Sequence, residues 1–349
     1  MLKKEFLIIM FSLRTETVAR KVFILLLTSF LFLFCQKNQE HLYTVGIFQV
    51  NEAPHLNEAR KGFIRAFEDN GLVDGVNVQL IIRNGQNDIA LVQKIAQSFA
   101  REKVNMICAL STPCLQAALN ASNKIQIIFT SVANPYRAGA GRSSENHLNN
   151  VTGVASTGPI KQSLAFIKEV LPQVKRIGTL WTPSELNSEY YLELCRAGAR
   201  ELGLDMVAVP VANKNEVFLS AQILINKKID AIYQISDNTI NESFEAVGKV
   251  AEENGVPLFG GFLLSTHLGA CAAMGWDFFD MGYKAGKIAH RVKNGENPSH
   301  IPIQYMEKIK LHLNLQAAEK QGVNFSAEVL EKADEILGRE EYSLDSFVF

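Results

Sequence analysis

The chain has 349 residues, of which 47% are hydrophobic and 20% are charged, a composition typical of a globular protein and not of a disordered chain. Its formal net charge of −1 gives no basic surface of the kind that nucleic-acid binding requires, so we expect no nucleic-acid partner. A chain of this length usually forms two domains, each with its own core.

The N-terminal residues have the pattern of a secretion signal. Residues 22–34 are an uncharged, mostly apolar run that follows Arg20 and Lys21. As a helix this run spans about 20 Å, which is short for a hydrocarbon core of about 30 Å. We therefore predict a signal peptide over residues 1–34. The alternative is a membrane-anchor helix lengthened at its ends.

Cys35 ends this apolar run, in a pattern similar to a bacterial lipoprotein signal, in which the cysteine becomes the lipidated first residue of the mature chain. Phe34 is bulkier than the small residue that usually precedes such a cysteine. The pattern predicts a periplasmic protein that is held at the membrane through a lipid on Cys35, with residues 35–42 as a linker. The alternative is an unmodified thiol. The other four cysteines show no Cys-x-x-Cys spacing, so we expect neither a metal site nor a cofactor.

From Tyr43 onward, apolar runs that predict strands alternate with segments that have the apolar spacing of helices. The first series contains strands at Tyr43–Val50, Val76–Ile82, Val104–Leu110 and Ile125–Thr130, with helices at Leu56–Asn70, Ile89–Arg101 and Cys114–Ser122. A polar stretch, Asn134–Asn150, reads as a long loop between this series and the next.

A second series begins near Val151. Its predicted strands are Arg176–Trp181, Met206–Pro210, Ile229–Ile235, Val256–Phe259 and Ala270–Met274, and its predicted helices are Pro159–Leu171, Ser188–Leu202, Glu216–Asn226, Ile240–Asn254 and Phe278–Asn294. Strands that alternate with helices indicate βαβ units and parallel sheets. We therefore predict an α/β fold with two doubly wound parallel-sheet lobes joined by a hinge; one closed barrel is the alternative.

Ligands of open parallel sheets bind beyond the carboxyl ends of the strands, so the residues that follow each strand are the candidate site. Hydroxyl, amide and carboxylate groups recur at these positions. The candidates are Ser111, Thr112, Ser131, Asn134, Asn187, Ser188 and Asp237, with Gly275 permitting a close backbone approach. Hydroxyls at the start of a helix suit a carboxylate, and Asp237 suits an ammonium group. For Ser111, Thr112 and Asp237 the simpler interpretation is that each only caps a helix.

This combination of anion donors, one carboxylate and nearby aromatic residues suits a zwitterion such as an amino acid with an apolar or aromatic side chain. Motifs for catalysis are weak, because the chain contains no Walker loop, no Gly-x-Ser-x-Gly elbow and no His-Glu-x-x-His. We therefore expect a binding protein and not an enzyme.

Taken in order, the strand-end motifs resemble one known family. These motifs are Ser-Thr-Pro (111–113), Thr-Ser-Val-Ala-Asn-Pro (130–135), Thr-Pro-Ser-Glu-Leu-Asn-Ser (182–188), Ser-Asp-Asn-Thr (236–239), Met-Gly-Trp-Asp-Phe-Phe-Asp-Met-Gly-Tyr-Lys-Ala-Gly (274–286) and Leu-Asn-Leu-Gln-Ala-Ala (313–318). The series resembles the tryptophan/tyrosine-type substrate-binding proteins of ABC importers, which have a type I periplasmic-binding-protein fold, and the resemblance covers residues 43–337.

The resemblance implies a monomer with two lobes that are joined by three crossovers and close on a small ligand. The implied N-terminal lobe is 43–153 plus about 275–305, the C-terminal lobe is 154–274 plus about 306–337, and 338–349 form a tail. The implied partners are an aromatic amino acid, a membrane permease and its ATPase. Asn134 stands where the family commonly has Asp, a difference that affects an ammonium contact.

Two other functions fit the same fold. One is a ligand-sensing periplasmic domain that signals through a receptor partner. The other is a periplasmic enzyme, which requires a nucleophile and a base that we do not find in the sequence.

Overall fold

The computed structural model of the protein describes residues 42–338. The predicted signal peptide, Cys35 and all but the first residue of the predicted tail lie outside this part of the chain. No helix within residues 42–338 is both long enough and apolar enough to cross a membrane.

The strands form two separate sheets, which excludes the single closed barrel. The first sheet has the spatial order β11-β5-β4-β3-β1-β2 and is parallel throughout. Its strands are β1 (Tyr43–Gln49), β2 (Val78–Asn84), β3 (Met106–Leu110), β4 (Gln126–Val132), β5 (Val151–Ala155) and β11 (Gln304–Tyr305).

The second sheet has the order β13-β12-β10-β9-β8-β6-β7 and is parallel except where β10 and β12 pair. Its strands are β6 (Arg176–Trp181), β7 (Asp205–Pro210), β8 (Ala231–Gln234), β9 (Leu258–Gly260), β10 (Ala272–Gly275), β12 (Lys310–Asn314) and β13 (Glu335–Leu337). The first five strands of each sheet follow one doubly wound order, in which the second strand lies outside the first and the third lies on the other side.

Helices cover the faces of these sheets. In chain order they are α1 (Pro54–Asp69), α2 (Ile89–Glu102), α3 (Thr112–Ala121), α4 (Ile160–Val170), α5 (Leu186–Glu201), α6 (Val217–Asn226), α7 (Asn238–Asn241), α8 (Phe244–Asn254), α9 (Phe278–Lys293), α10 (Leu315–Lys320) and α11 (Ala327–Lys332).

Because helices cover both faces of each sheet and consecutive strand residues point to opposite faces, each strand buries side chains on both sides. In β1, Val45 and Ile47 pack with helices α1 and α9, whereas Phe48 packs with α2 and α3. In β6, Leu180 belongs to the core under α6 and α8, and Ile177 to the core under α4 and α5.

Most predicted elements are confirmed, with ends within two residues of those predicted. The prediction of one continuous helix over Ile240–Asn254 is wrong, because the chain forms two helices, α7 and α8, which are separated by Glu242 and Ser243. Strands β5, β11, β12 and β13 and helices α10 and α11 were not predicted.

Each chain passage between the sheets is a crossover, and there are three in the described chain. They follow β5, β10 and β11 in turn. The indole Nε1 of Trp276 donates to the Thr157 carbonyl at 2.8 Å, and the Lys310 ammonium lies 2.7 Å from the Asp277 carboxylate. These contacts tie the crossovers to one another. The exact limits that we predicted for the two lobes stay a prediction.

Candidate functional site

In both lobes some of the candidate residues follow strands at the point where the winding direction of the sheet reverses. This point lies between β1 and β3 in the first lobe and between β6 and β8 in the second. Ser111 follows β3, and Asp237 comes shortly after β8. Ligands of doubly wound sheets bind in the crevice at this position.

Four hydroxyls are buried at the adjacent ends of β3 and β4. We call Ser111, Thr112, Thr130 and Ser131 the hydroxyl cluster. Leu110 pairs with Thr130 in the sheet, and the Ser111 amide donates to the Thr130 carbonyl at 3.1 Å, which brings the two strand ends together. None of the four hydroxyls has an oxygen or nitrogen hydrogen-bond partner within residues 42–338, although each is at most 9% exposed. The Cys114 thiol, which forms weak hydrogen bonds, lies beside Ser111.

Buried hydroxyls nearly always have partners, so a group of four without any is unusual. The simple capping interpretation fails for Ser111: it is the N-cap residue of α3, but its side chain makes no capping bond. The cluster lies at the start of a ten-residue helix, where free N–H groups and the helix dipole favour an anion.

The backbone is strained at two residues of this cluster. Ser111 has φ 101° and ψ 159°, a conformation that is essentially restricted to glycine, and Ser131 has φ 58°. Non-glycine residues rarely adopt such angles, and where they do the site is often functional. In this conformation the two side chains are placed at the strand ends.

Asn134, another predicted residue, shapes a turn. Its Oδ1 accepts hydrogen bonds from the amides of Tyr136 and Arg137, each at 3.1 Å. The Arg137 guanidinium then reaches α5 of the other lobe, where it pairs with Glu193 at 2.7 Å and lies 4.8 Å from the centre of the Tyr190 ring.

In the second lobe the structure brings Asn187, Ser188 and Asp237 together. The Asp237 carboxylate is fully buried and accepts from the Thr182 amide at 2.9 Å, the Thr182 hydroxyl at 3.0 Å and the Ile240 amide at 2.9 Å. The last bond is a helix cap, so the simpler interpretation of Asp237 is observed. The Ser188 hydroxyl accepts from the same Thr182 amide at 2.8 Å.

Burial raises the pKa of the Asp237 carboxyl above its usual range, and the nearby Glu185 carboxylate raises it further. Both effects disfavour the charged form, since a buried carboxylate loses its water and a second negative charge repels it.

Glu185 is a residue that the sequence analysis missed. It stands inside the motif at 182–188, but no spacing rule distinguished it from the polar residues on either side. The structure buries it to 4% exposure and points it at the start of α7. Only the fold could reveal this, because Glu185 and Asn238 are far apart in sequence.

Gly275, predicted to allow a close backbone approach, ends β10 two strands away from β8. A Cβ atom built at this residue lies 3.4 Å from the Gly261 carbonyl oxygen, which is ordinary contact. Packing at this position therefore tolerates a small side chain.

The two lobes contact each other near the strand ends. Asn51 lies just beyond β1, and its side-chain amide donates to the Asn238 backbone carbonyl at 2.8 Å. The Asn87 side-chain amide donates to the Thr239 hydroxyl at 3.1 Å. The His55 ring, 3% exposed, packs at 4.9–5.5 Å from the Phe278 and Phe262 rings. None of these first-lobe residues was predicted from the sequence.

The cysteines of residues 42–338 are Cys108, Cys114, Cys195 and Cys271, and all four are buried and unpaired. Burial raises the pKa of the Cys114, Cys195 and Cys271 thiols to about 12, which keeps them protonated. Residues 42–338 contain no cluster of three or more His, Cys, Asp or Glu side chains that could hold a metal ion.

The sequence matches the family of ABC transporter substrate binding proteins over residues 44–337. The chain belongs to this family. Among curated proteins, it is 35% identical over 294 residues to a tyrosine-binding protein of Clostridioides difficile strain R20291, an alignment that covers 83% of this chain and 85% of the relative.

Two solved structures are similar over most of the chain. A Streptococcus pneumoniae ABC domain in complex with L-Trp is 25% identical, with a TM-score of 0.81 and coverage of 85% of this chain and all of the other. A ligand-free, open substrate-binding protein with adhesive properties from Clostridium difficile is 32% identical, with a TM-score of 0.64 and coverage of 85% and 99%.

More distant structures share the fold alone. One is a myo-inositol binding protein from Caulobacter, at 12% identity and a TM-score of 0.59 over 84% of this chain and 98% of the other. The α/β architecture is thus that of type I periplasmic-binding proteins, as predicted.

Proposed function

We propose that this protein is the extracytoplasmic solute-binding lipoprotein of an ABC importer and that it binds an aromatic amino acid, such as tyrosine or tryptophan, between its lobes. The observation that carries the proposal is the hydroxyl cluster, because four buried and unpartnered hydroxyls at a helix start form a site for a carboxylate. The tyrosine-binding relative and the L-Trp complex support the choice of amino acid.

In this proposal Ser111, Thr112 and Ser131 hold the ligand carboxylate from the first lobe. The ammonium group faces the second lobe near Asn187, Ser188 and Asp237. Asp237 is held in place by three hydrogen bonds that it accepts from the chain. Its pKa is raised in the ligand-free protein, and a nearby ammonium group favours its charged form. We place Asn134 and Gly275 at the edge of this proposed site.

Closure of the lobes over the ligand fits the contacts between them. The bonds from Asn51 and Asn87 to α7 join residues of opposite lobes. The chain also superposes better on the L-Trp complex than on the ligand-free, open protein, although the open protein is more similar in sequence. We propose that a permease recognises this closed form.

A panel of ligands tests the binding proposal. Thermal melting of the purified protein is measured with each of the twenty amino acids and with sugars, nucleosides and purines. A ligand that binds only the folded state raises stability by about 2.7 kcal/mol at a hundredfold excess over Kd. We expect the rise with Tyr, Trp or Phe; a rise with a sugar or nucleoside alone would contradict the proposed ligand.

The membrane anchor is tested separately. Mass spectrometry of the mature N-terminal peptide is expected to show a diacylglyceryl-modified Cys35, and the Cys35→Ser protein is expected to leave the membrane fraction. An unmodified peptide that begins elsewhere would contradict the lipoprotein proposal. Delivery to a permease is tested by the uptake of labelled tyrosine in cells with and without the protein.

A further inference from the structure

The Glu185 carboxylate is saturated by groups of its own lobe. Oε2 accepts from the Asn187 side-chain amide at 2.9 Å, from the Asn238 backbone amide at 3.1 Å and from the Asn238 side-chain amide at 2.7 Å. Oε1 accepts from the Thr239 amide at 3.0 Å and from the Thr239 hydroxyl at 2.6 Å. A carboxylate offers about four lone-pair positions, so five donors leave no place for a ligand.

The segment that Glu185 holds, Asn238–Thr239, is the part of the second lobe that meets Asn51 and Asn87. The Thr239 hydroxyl has a single proton, which it gives to Glu185. The lone pairs of this hydroxyl are then free to accept the hydrogen bond from the Asn87 side-chain amide. The Asn238 carbonyl, which accepts from Asn51, belongs to a residue that Glu185 fixes by two hydrogen bonds.

Asn51 lies two residues beyond the end of β1 and is fully buried, so its bond to Asn238 is shielded from water. Bonds of this kind, between opposite lobes, are broken when the lobes separate. A bound ligand can leave only after that separation, so the strength of these bonds limits the dissociation rate.

We propose that Glu185 is a positioning residue for lobe closure: it fixes the Asn238–Thr239 segment in the form that accepts Asn51 and Asn87, and so controls how long a ligand stays bound. The proposal rests on the proposed function in that it assumes a ligand between the lobes. It assigns Glu185 no contact with that ligand.

The first variant is Glu185→Gln, which keeps the size of the side chain. It replaces one carboxylate oxygen by an N–H₂ group, which cannot accept the hydrogen bonds that Asn238 or Thr239 donates to that oxygen in wild type. Stopped-flow kinetics with L-tyrosine and L-tryptophan as probes measure association and dissociation. We expect dissociation to be faster by about tenfold or more, with little change in association. The control is Glu201→Gln, because Glu201 is an exposed carboxylate paired with Lys161 inside the second lobe.

A second variant guards against misfolding of the second lobe. Asn87→Ala changes a half-buried residue of the first lobe and removes the partner of Thr239. If Glu185 acts through this contact, the double variant dissociates more slowly than the product of the two single effects predicts, because both changes remove one shared interaction. Fully multiplicative effects, or a Glu185→Gln protein that dissociates like wild type, would overturn the proposal.

A measurement without ligand separates this proposal from the proposed function. Small-angle X-ray scattering of the free proteins reports the separation of the lobes. Larger radii of gyration for Glu185→Gln and Asn87→Ala than for wild type and Glu201→Gln support the positioning role even if neither probe binds. Failure of wild type to bind either probe, with this difference intact, counts against the proposed ligand alone; equal radii together with no probe binding would count against both proposals.

Discussion

Ser111 combines two properties that ordinary buried residues lack: a hydroxyl without a partner and a backbone conformation suited to glycine. Each is unfavourable for the free protein, since an unsatisfied buried group costs about 1–3 kcal/mol and a residue in such a conformation costs about as much again. In the proposed site a ligand carboxylate removes the first cost. The proposal thus accounts for a serine at a position where a glycine would make the protein more stable.

Replacing Ser111 separates the two costs. We expect Ser111→Gly to raise the stability of the ligand-free protein by about 1 kcal/mol, because the relieved strain exceeds the entropy that glycine adds to the unfolded chain. Ser111→Ala loses the same hydroxyl but keeps the strain, so it serves as the matched partner. Urea unfolding measures both, and a Ser111→Gly protein less stable than Ser111→Ala would refute this explanation.

His55 is buried against the Phe262 and Phe278 rings, and this burial lowers its pKa to about 3, although a hydrogen bond with the Asn238 side chain opposes the shift. A histidine whose pKa is lowered in the folded state contributes stability above pH 6.5, and loses it as the pH falls toward 3. Between pH 7 and pH 5 we expect it to account for about 2 kcal/mol of lost stability.

The comparison that isolates His55 is with His55→Leu, which has no charge to bury. Its free energy of unfolding is expected to fall less on acidification than that of wild type. Identical pH profiles for wild type and His55→Leu would show that His55 is protonated without cost.

At the scale of elements, the packing of α1 against α9 depends on glycine. A Cβ atom built at Gly282 falls 1.8 Å from the Ala59 carbonyl oxygen, and one built at Gly62 falls 2.0 Å from the Phe279 carbonyl oxygen. Both obstacles are backbone atoms, which cannot rotate away. The two helices lie this close because neither has a side chain at these positions.

Gly282→Ala is therefore expected to destabilise the protein by about 2–3 kcal/mol, even though alanine favours a helix. Gly198→Ala is the control: it also lies inside a helix, α5, but its nearest neighbour is a leucine side-chain atom at 3.1 Å. Thermal unfolding compares the two. A neutral Gly282→Ala would mean that α1 and α9 can move apart freely.

The sequence predicted the elements whose apolar pattern is long and regular, and it missed short ones. Strand β12 has alternating burial over five residues and pairs antiparallel to β10. An alternation of strands and helices predicts parallel pairs and gives no signal for an antiparallel strand of this kind. The division between α7 and α8 was missed because Ile240, Phe244 and Val247 keep the apolar spacing of one helix across the polar break, while Asp237 caps a separate helix of four residues.

Within the candidate site, the strand-end rule located Ser111, Ser131, Ser188 and Asp237, because sheet topology alone places the carboxyl ends of strands together. It could not locate Glu185 or Asn51, since their partners come from distant segments and from the other lobe. Nor could it separate a hydroxyl that lacks a partner from one that caps a helix. That distinction appears only in the three-dimensional contacts, and the role of each predicted residue toward a ligand stays a prediction.

For the molecule as a whole, the two sheets have the same winding order, and three crossovers connect them. Candidate residues follow strands of both sheets, so they come from both halves of the chain. In the proposed mechanism the contacts from Asn51 and Asn87 to residues 238–239 bind no ligand but stabilise the closed form.

The proposed carboxylate site is tested by titration calorimetry with L-tyrosine on wild type and on the double variant Ser111→Ala/Ser131→Ala. We expect wild type to bind and the double variant to bind at least about 100-fold more weakly, because two hydrogen bonds to a charged carboxylate are lost. Ser163→Ala, which removes a buried hydroxyl bonded to the Pro159 carbonyl in the second lobe, is expected to bind like wild type. Equal affinity of wild type and the double variant would show that the hydroxyl cluster does not hold the ligand carboxylate.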